Sequence, residues 1–160
     1  MHQMKNFLFI SIIFLAACSG LPRYVAPPAS ENPATISNYS NLLLCKLTGI
    51  KGPDGYNACQ ARLLVIDGSI TPNSSQVKVS PGLRRISTFC HTMDFTYTLP
   101  GVASSPKPAK SYSQKYEVDF AQGAIYRVEP FWDGSFCKIR LIDAGGNALP
   151  MKDVLNPIDA

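Results

Sequence analysis

Residues Lys115 to Phe120 read Lys-Tyr-Glu-Val-Asp-Phe, and this strict alternation of charged with large apolar side chains constrains the fold more than any other stretch of the chain. A period of two puts Tyr116, Val118 and Phe120 on one face and Lys115, Glu117 and Asp119 on the other. One dry face and one wet face describe a strand of an antiparallel sheet. Short runs of similar character recur between clusters of Gly, Pro, Asn and Asp, while helical spacing is nearly absent. Strands are therefore expected near 41–48, 60–67, 75–79, 83–98, 112–120, 123–130 and 136–143. About seven short strands with little or no helix make an all-β fold, an antiparallel β-sandwich or open barrel. From Leu83 to Leu99 the alternation changes phase, so a bulge is expected between Phe89 and Met93.

Five cysteines further narrow the possibilities. The first, Cys18, closes the apolar run Phe7 to Ala17, which at about a dozen residues is too short to cross a bilayer as a helix and reads as the hydrophobic part of a secretory signal. The small pair Ala16-Ala17 directly before Cys18, with Leu15 three residues ahead of it, resembles the lipobox of bacterial lipoproteins. That resemblance implies a signal peptide over 1–17 and a mature chain beginning at Cys18, which carries a diacylglycerol on its thiol and an acyl chain on its new amine. No other cofactor is expected. The alternative is an ordinary signal whose boundary falls on a cysteine. Ser19, where an Asp would stand for retention, resembles lipoproteins sorted to the outer membrane, with the domain facing the periplasm or the cell surface.

Removing the anchor leaves an even four: Cys45, Cys59, Cys90 and Cys137. In an exported chain these read as disulfides, with three possible pairings. No Cys-x-x-Cys occurs, and Cys90-His91 are neighbours that a strand would point to opposite faces, so no metal site is expected. Alternation favours Cys45 with Cys59, on two neighbouring strands that flank a turn-rich segment. It also favours Cys90 with Cys137, since Cys90 shares parity with Ile86 and Cys137 with Ile139 and Leu141.

Residues 18–39 are rich in Pro, Ser, Ala and Asn with no apolar period, and read as a lipidated terminus and tether. A β-sandwich domain is expected over 40–145 and a loosely docked tail over 146–160, with at most one helical turn around Met151 to Leu155. The segment from Leu99 to Ser111, with its three prolines, reads as an exposed hairpin loop. Lys and Arg number 15 against 11 Asp and Glu, and no basic run exceeds Arg84-Arg85. A nucleic-acid or polybasic membrane footprint is a clustered basic stripe, and the sequence shows none, so no nucleic-acid partner is expected and the lipid does the anchoring. The expected partner is the membrane, through the lipid, with an envelope protein or glycan as a further candidate.

The order Leu63 to Gly68, then VKVSPGLRRIS, then a Gly-x-x-Tyr strand resembles the small β-sandwich of PEGA-type and related bacterial envelope lipoproteins. The positions that carry it are Ile66, Asp67, Gly68, Val77, Val79, Pro81, Gly82, Ile86, Gly123 and Tyr126. Asp67-Gly68 suits a tight hairpin and Pro81-Gly82 a type II turn. The resemblance implies surface or periplasmic scaffolding, not catalysis.

The residues themselves offer little chemistry. His91 is the only histidine outside the signal, with Asp94 or Cys90 as conceivable partners, and neither a Gly-x-Ser-x-Gly elbow nor a His-Glu-x-x-His motif is present. The most distinctive cluster is aromatic: Tyr126, Phe131, Trp132 and Phe136 around Asp133-Gly134. It reads either as a hydrophobic lid on one end of the sandwich or as a recognition patch. The same cluster is similar to the Gly-x-x-Tyr and Trp-x-x-Gly region of periplasmic lysozyme inhibitors. The functional expectation is a non-enzymatic, membrane-anchored envelope lipoprotein with a structural or binding role. The alternative is an inhibitor or receptor that binds a periplasmic enzyme or glycan through the Phe131 to Phe136 turn.

Overall fold

The computed structural model describes residues 20–41, 45, 49–94 and 109–154. The expected signal peptide, Cys18 and most of the Leu99–Ser111 loop lie outside the described residues. The described chain is all-β, with eleven strands in two sheets among those residues. The strands are β1 (Ala34–Ser37), β2 (Tyr39–Ser40), β3 (Ile50–Lys51), β4 (Tyr56–Ile66), β5 (Ser69–Ile70), β6 (Gln76–Val79), β7 (Gly82–Asp94), β8 (Lys110–Phe120), β9 (Ile125–Asp133), β10 (Phe136–Asp143) and β11 (Lys152–Asp153). The larger sheet runs β11-β8-β7-β4-β2, with β3 and β5 also on β4. The smaller runs β10-β9-β1-β6. All pairings between the strands are antiparallel except that of β1 with β9.

The alternation in β8 works as expected: Tyr116, Val118 and Phe120 are buried and face the inner side of β10 and β9, while Lys115 and Asp119 are exposed. Val77, Val79, Tyr126, Val128, Ile139 and Leu141 supply the opposite layer of the core. The β4–β5 hairpin turns on Asp67 and Gly68, both at positive φ (46° and 81°), and Asp tolerates that region because its short side chain bonds locally. Here the Asp67 carboxylate accepts the Arg85 backbone N–H at 2.9 Å. Gly82, at φ 90°, takes the positive position after Pro81 where the chain passes from the smaller sheet to the larger.

Four expectations need correction. First, the segment read as a tether is part of the fold. Ala34 and Ile36 are fully buried, and β1 lies between β6 and β9, inside the smaller sheet. Ahead of it, the Tyr24 N–H bonds to the Ile70 carbonyl and the Ile70 N–H to the Pro22 carbonyl, both at 2.8 Å, while the Tyr24 hydroxyl reaches the Lys78 carbonyl at 3.0 Å. Proline density hid a four-residue strand whose inward positions are only Ala34 and Ile36.

Second, the tail is docked. The Leu149 N–H bonds to the Leu141 carbonyl, Leu149 and Met151 pack on the core, and β11, where a helical turn was thought possible, pairs with β8. Residues 147–153 thus cross from the edge of the smaller sheet to that of the larger.

Third, the expected strand near 41–48 is absent at its described residues. Cys45 is helical, and the Gly49 N–H closes onto its carbonyl at 2.9 Å.

Fourth, β7 keeps one register with β8 from Gly82 to Thr92, with Thr92 buried in phase with Cys90, so no bulge lies there. The Thr92 and Thr88 hydroxyls donate to the Lys110 and Gln114 carbonyls, which lets a polar side chain face inward. The shifts fall in β4 instead, at Cys59 and Leu64. They explain why Ala58, Ala61, Leu63 and Ile66 all reach the core with spacings of three, two and three.

Candidate functional site

The sulfur chemistry comes first because it holds the elements in place. Disulfides join Cys45 to Cys59 and Cys90 to Cys137, the pairing that alternation favours. Cys45 to Cys59 spans 5.2 Å between Cα atoms, and the bulge turns Cys59 away from the core toward the helical turn at Cys45 rather than toward a second strand. Asn57, itself buried, donates to the Cys45 carbonyl at 3.0 Å and fixes that turn further. Cys90 to Cys137 runs from β7 to β10 and so ties one sheet to the other. All four residues are at most 2% exposed, and none offers a thiol for chemistry.

The four aromatics named from sequence do not form one surface. Tyr126 is buried near the start of β9, edge-to-face with Phe120 at 5.7 Å, and its hydroxyl accepts the Ala121 backbone N–H at 3.2 Å. Phe131 lies on the outer side of the smaller sheet beneath the Arg140 guanidinium, 5.7 Å from the ring centroid. Trp132 turns inward, packs on the core, and donates its indole N–H to the Ile50 carbonyl at 3.1 Å. Gly52 lies flat against that indole, where any Cβ would collide with the ring. Phe136 is 60% exposed.

What gathers at this end of the sandwich is a different trio: Trp132, Phe136 and Tyr112. Tyr112 meets both rings edge-to-face, at 6.4 Å and 6.1 Å, and its hydroxyl donates to the Ser135 carbonyl at 3.1 Å. Sequence reasoning missed Tyr112, although it shares parity with Tyr116, Val118 and Phe120. An indole with its N–H satisfied and its face covered is a lid on the core. Phe136 is the part of the trio open to solvent.

His91 stands on the outer face of the larger sheet, stacked on Phe89 at 6.1 Å, with Nδ1 3.2 Å from the Ser111 hydroxyl. Cys90 is in its disulfide, and the His91 side chain faces away from it. Among the described residues no group of three His, Cys, Asp or Glu is placed to hold a metal ion.

A concavity lies on that same outer face, where the N-terminal segment meets the sheet. It is an open groove of about 410 Å³ with Leu21, Leu64 and Val154 on its walls, Ser87 and Ser113 between them, and Arg85 and Lys115 at its side. Sequence reasoning missed it because Leu21 was assigned to a tether and Val154 to a loose tail. A smaller hollow between the sheet edges is lined by Tyr116, Lys138, Leu149 and Asp153. Burial holds the Tyr116 phenol up to about 12, with the Asp153 and Asp133 carboxylates adding to the shift. Comparison with protein-family models, with curated proteins and with solved structures gives no match.

Proposed function

We propose that this chain is a lipid-anchored envelope lipoprotein, acylated at Cys18, whose disulfide-linked β-sandwich acts as a non-enzymatic structural or binding accessory at the outer membrane. One combination carries the reading: a fold closed by two buried disulfides follows an apolar run that stops at a fifth cysteine. Buried structural disulfides belong to oxidising compartments outside the cytosol. A run of about a dozen apolar residues suits export and is too short to span a bilayer as a helix. Acyl chains on one cysteine then give stable attachment, since more than one chain is buried. The PEGA-like hairpin at Asp67-Gly68 and turn at Pro81-Gly82 suit scaffolding in the same setting.

The test is metabolic palmitate labelling of the wild type and of Cys18→Ala in a bacterial host. Label on the wild type alone is the expected result, and equal labelling of both proteins overturns the anchor.

A second reading has its own observation. Phe136 is the large exposed aromatic beside a rigid indole and phenol, a suitable foothold for a partner protein or glycan. Binding of an envelope lysozyme is its cheapest form to check. No inhibition by micromolar soluble domain retires that form.

A further inference from the structure

We propose that the outer face of the larger sheet is a lipid-facing surface, so that the domain lies on the bilayer rather than being held away from it. The inference rests on the reading of Cys18 as the acylated residue, and it adds where the domain must then sit.

The first observation is the path of the N-terminal strap. Pro22, Arg23 and Tyr24 are pinned to Ile70 by two main-chain hydrogen bonds, and Leu21 lines the groove on the outer face beside Leu64 and Val154. Leu21 stands three residues after Cys18, with Ser19 and Gly20 between them, a reach of at most about 11 Å for fully extended chain. An acylated Cys18 has its glycerol backbone at the membrane surface, so Leu21, at one end of this face, must lie close to that surface.

The second observation is what the face carries. Leu21 is 57% and Leu83 66% exposed, and both lie on this face. Strand parity puts Leu83, Arg85 and Ser87 of β7 on the outer side, next to Asp119, Glu117 and Lys115 of β8. Lys152 of β11 pairs with Glu117 on that side, and Arg62 of β4 lies over Phe89. Arg85 pairs with Glu117 at 3.0 Å, and Arg62, Lys115 and Lys152 are then set against Asp119. Apolar groups set among a modest excess of cations match the interfacial layer of a bilayer that contains anionic lipid.

The experiment uses the full lipidated chain. In vesicles of phosphatidylethanolamine and phosphatidylglycerol, lysines are modified with a charged, membrane-impermeant acylating reagent, and the rate at each site is compared with the same protein in detergent. Lys115 and Lys152 are expected to react several-fold more slowly on vesicles. Lys78, exposed on the outer side of the smaller sheet, is expected to react at the same rate in both. Equal rates at Lys115 and Lys152 in the two states, or protection of Lys78 in their place, overturn the orientation. Palmitate labelling of the same preparation separates the two claims: labelled protein without protection removes the orientation and leaves the anchor, whereas unlabelled protein removes the anchor and the orientation with it.

Discussion

Replacing Ile36 by Ala tests whether residues 34–37 are a strand of the fold or a piece of spacer. Ile36 is fully buried in β1 and pairs with Val77 on one side and Tyr126 on the other. The substitution removes three carbons, worth about 2.4 kcal/mol at ~0.8 kcal/mol each. The cavity adds about 1 kcal/mol more, because strands held on both sides cannot close around it. A loss of about 3–4 kcal/mol is a large part of the ordinary stability of a small domain. With a urea slope of about 2 kcal/mol/M, the midpoint falls by roughly 1.5–2 M. The control is Ile125→Ala, at a side chain 61% exposed in the neighbouring strand, expected to change stability by at most about 0.5 kcal/mol. Urea unfolding of the disulfide-intact soluble chain, followed by far-UV circular dichroism, reads both. Equal small shifts for the two variants would refute the placement of β1 and return the segment to a tether.

Three further outcomes follow from the same geometry. Removing the Cys90–Cys137 bridge as a double Ala variant should cost about 4 kcal/mol and removing Cys45–Cys59 about 3, because the sequence separations are 47 and 14; the reverse order in urea midpoints would count against the loop-entropy argument. Gly52→Ala should force the indole of Trp132 off the Ile50 carbonyl, at about 1–3 kcal/mol. As Trp132 is the only tryptophan, its emission should shift to the red, and an unchanged spectrum contradicts the contact. Tyr116 stays protonated in the folded state to about 12, first because it is buried, whereas an unfolded tyrosine ionises near 10. Its contribution is complete below about 10 and is lost as pH rises from about 10 to about 12. Tyr116→Phe should flatten urea midpoints measured across that window, and an unaltered slope assigns the effect elsewhere.

The parts of the fold legible in sequence were those where one face is wet. In β8 the contrast between Lys115, Glu117, Asp119 and their apolar neighbours leaves a single reading, and the parity of Ile86 with Cys90 carried over to the bridge with Cys137. Legibility failed where geometry departs from a period of two or where elements are too short to show a period. The extra residues at Cys59 and Leu64 put Ala58 and Ile66 in the core out of phase with Ala61 and Leu63, which no straight alternation can display. The apparent phase change near Cys90 rested on Met93, Phe95 and Tyr97: Met93 is large but only half-buried while the small polar Thr92 is inside, and Phe95 and Tyr97 lie outside the described residues. Of the candidate site, sequence located the aromatic cluster but joined Tyr126 to it by proximity along the chain. Tyr126 and Trp132 stand six residues apart in the nine-residue strand β9, and they cap opposite parts of the core.

The position of β1 has a kinetic consequence. Its neighbours in the smaller sheet, β6 and β9, follow it in sequence by about 40 and 90 residues. A chain that emerges N-terminus first therefore holds Ala34–Ser37 ready long before either side of that strand has a mate. The four-strand layer cannot close until nearly the whole polypeptide is present, and contacts of such long sequence separation form slowly. In that interval Ile36 and the main-chain donors of β1 are open to whatever binds extended apolar segments. The domain is thus built to fold only after nearly all of its chain has been made, and a chain shortened before β10 would be left with an unfinished layer rather than a smaller version of the same protein.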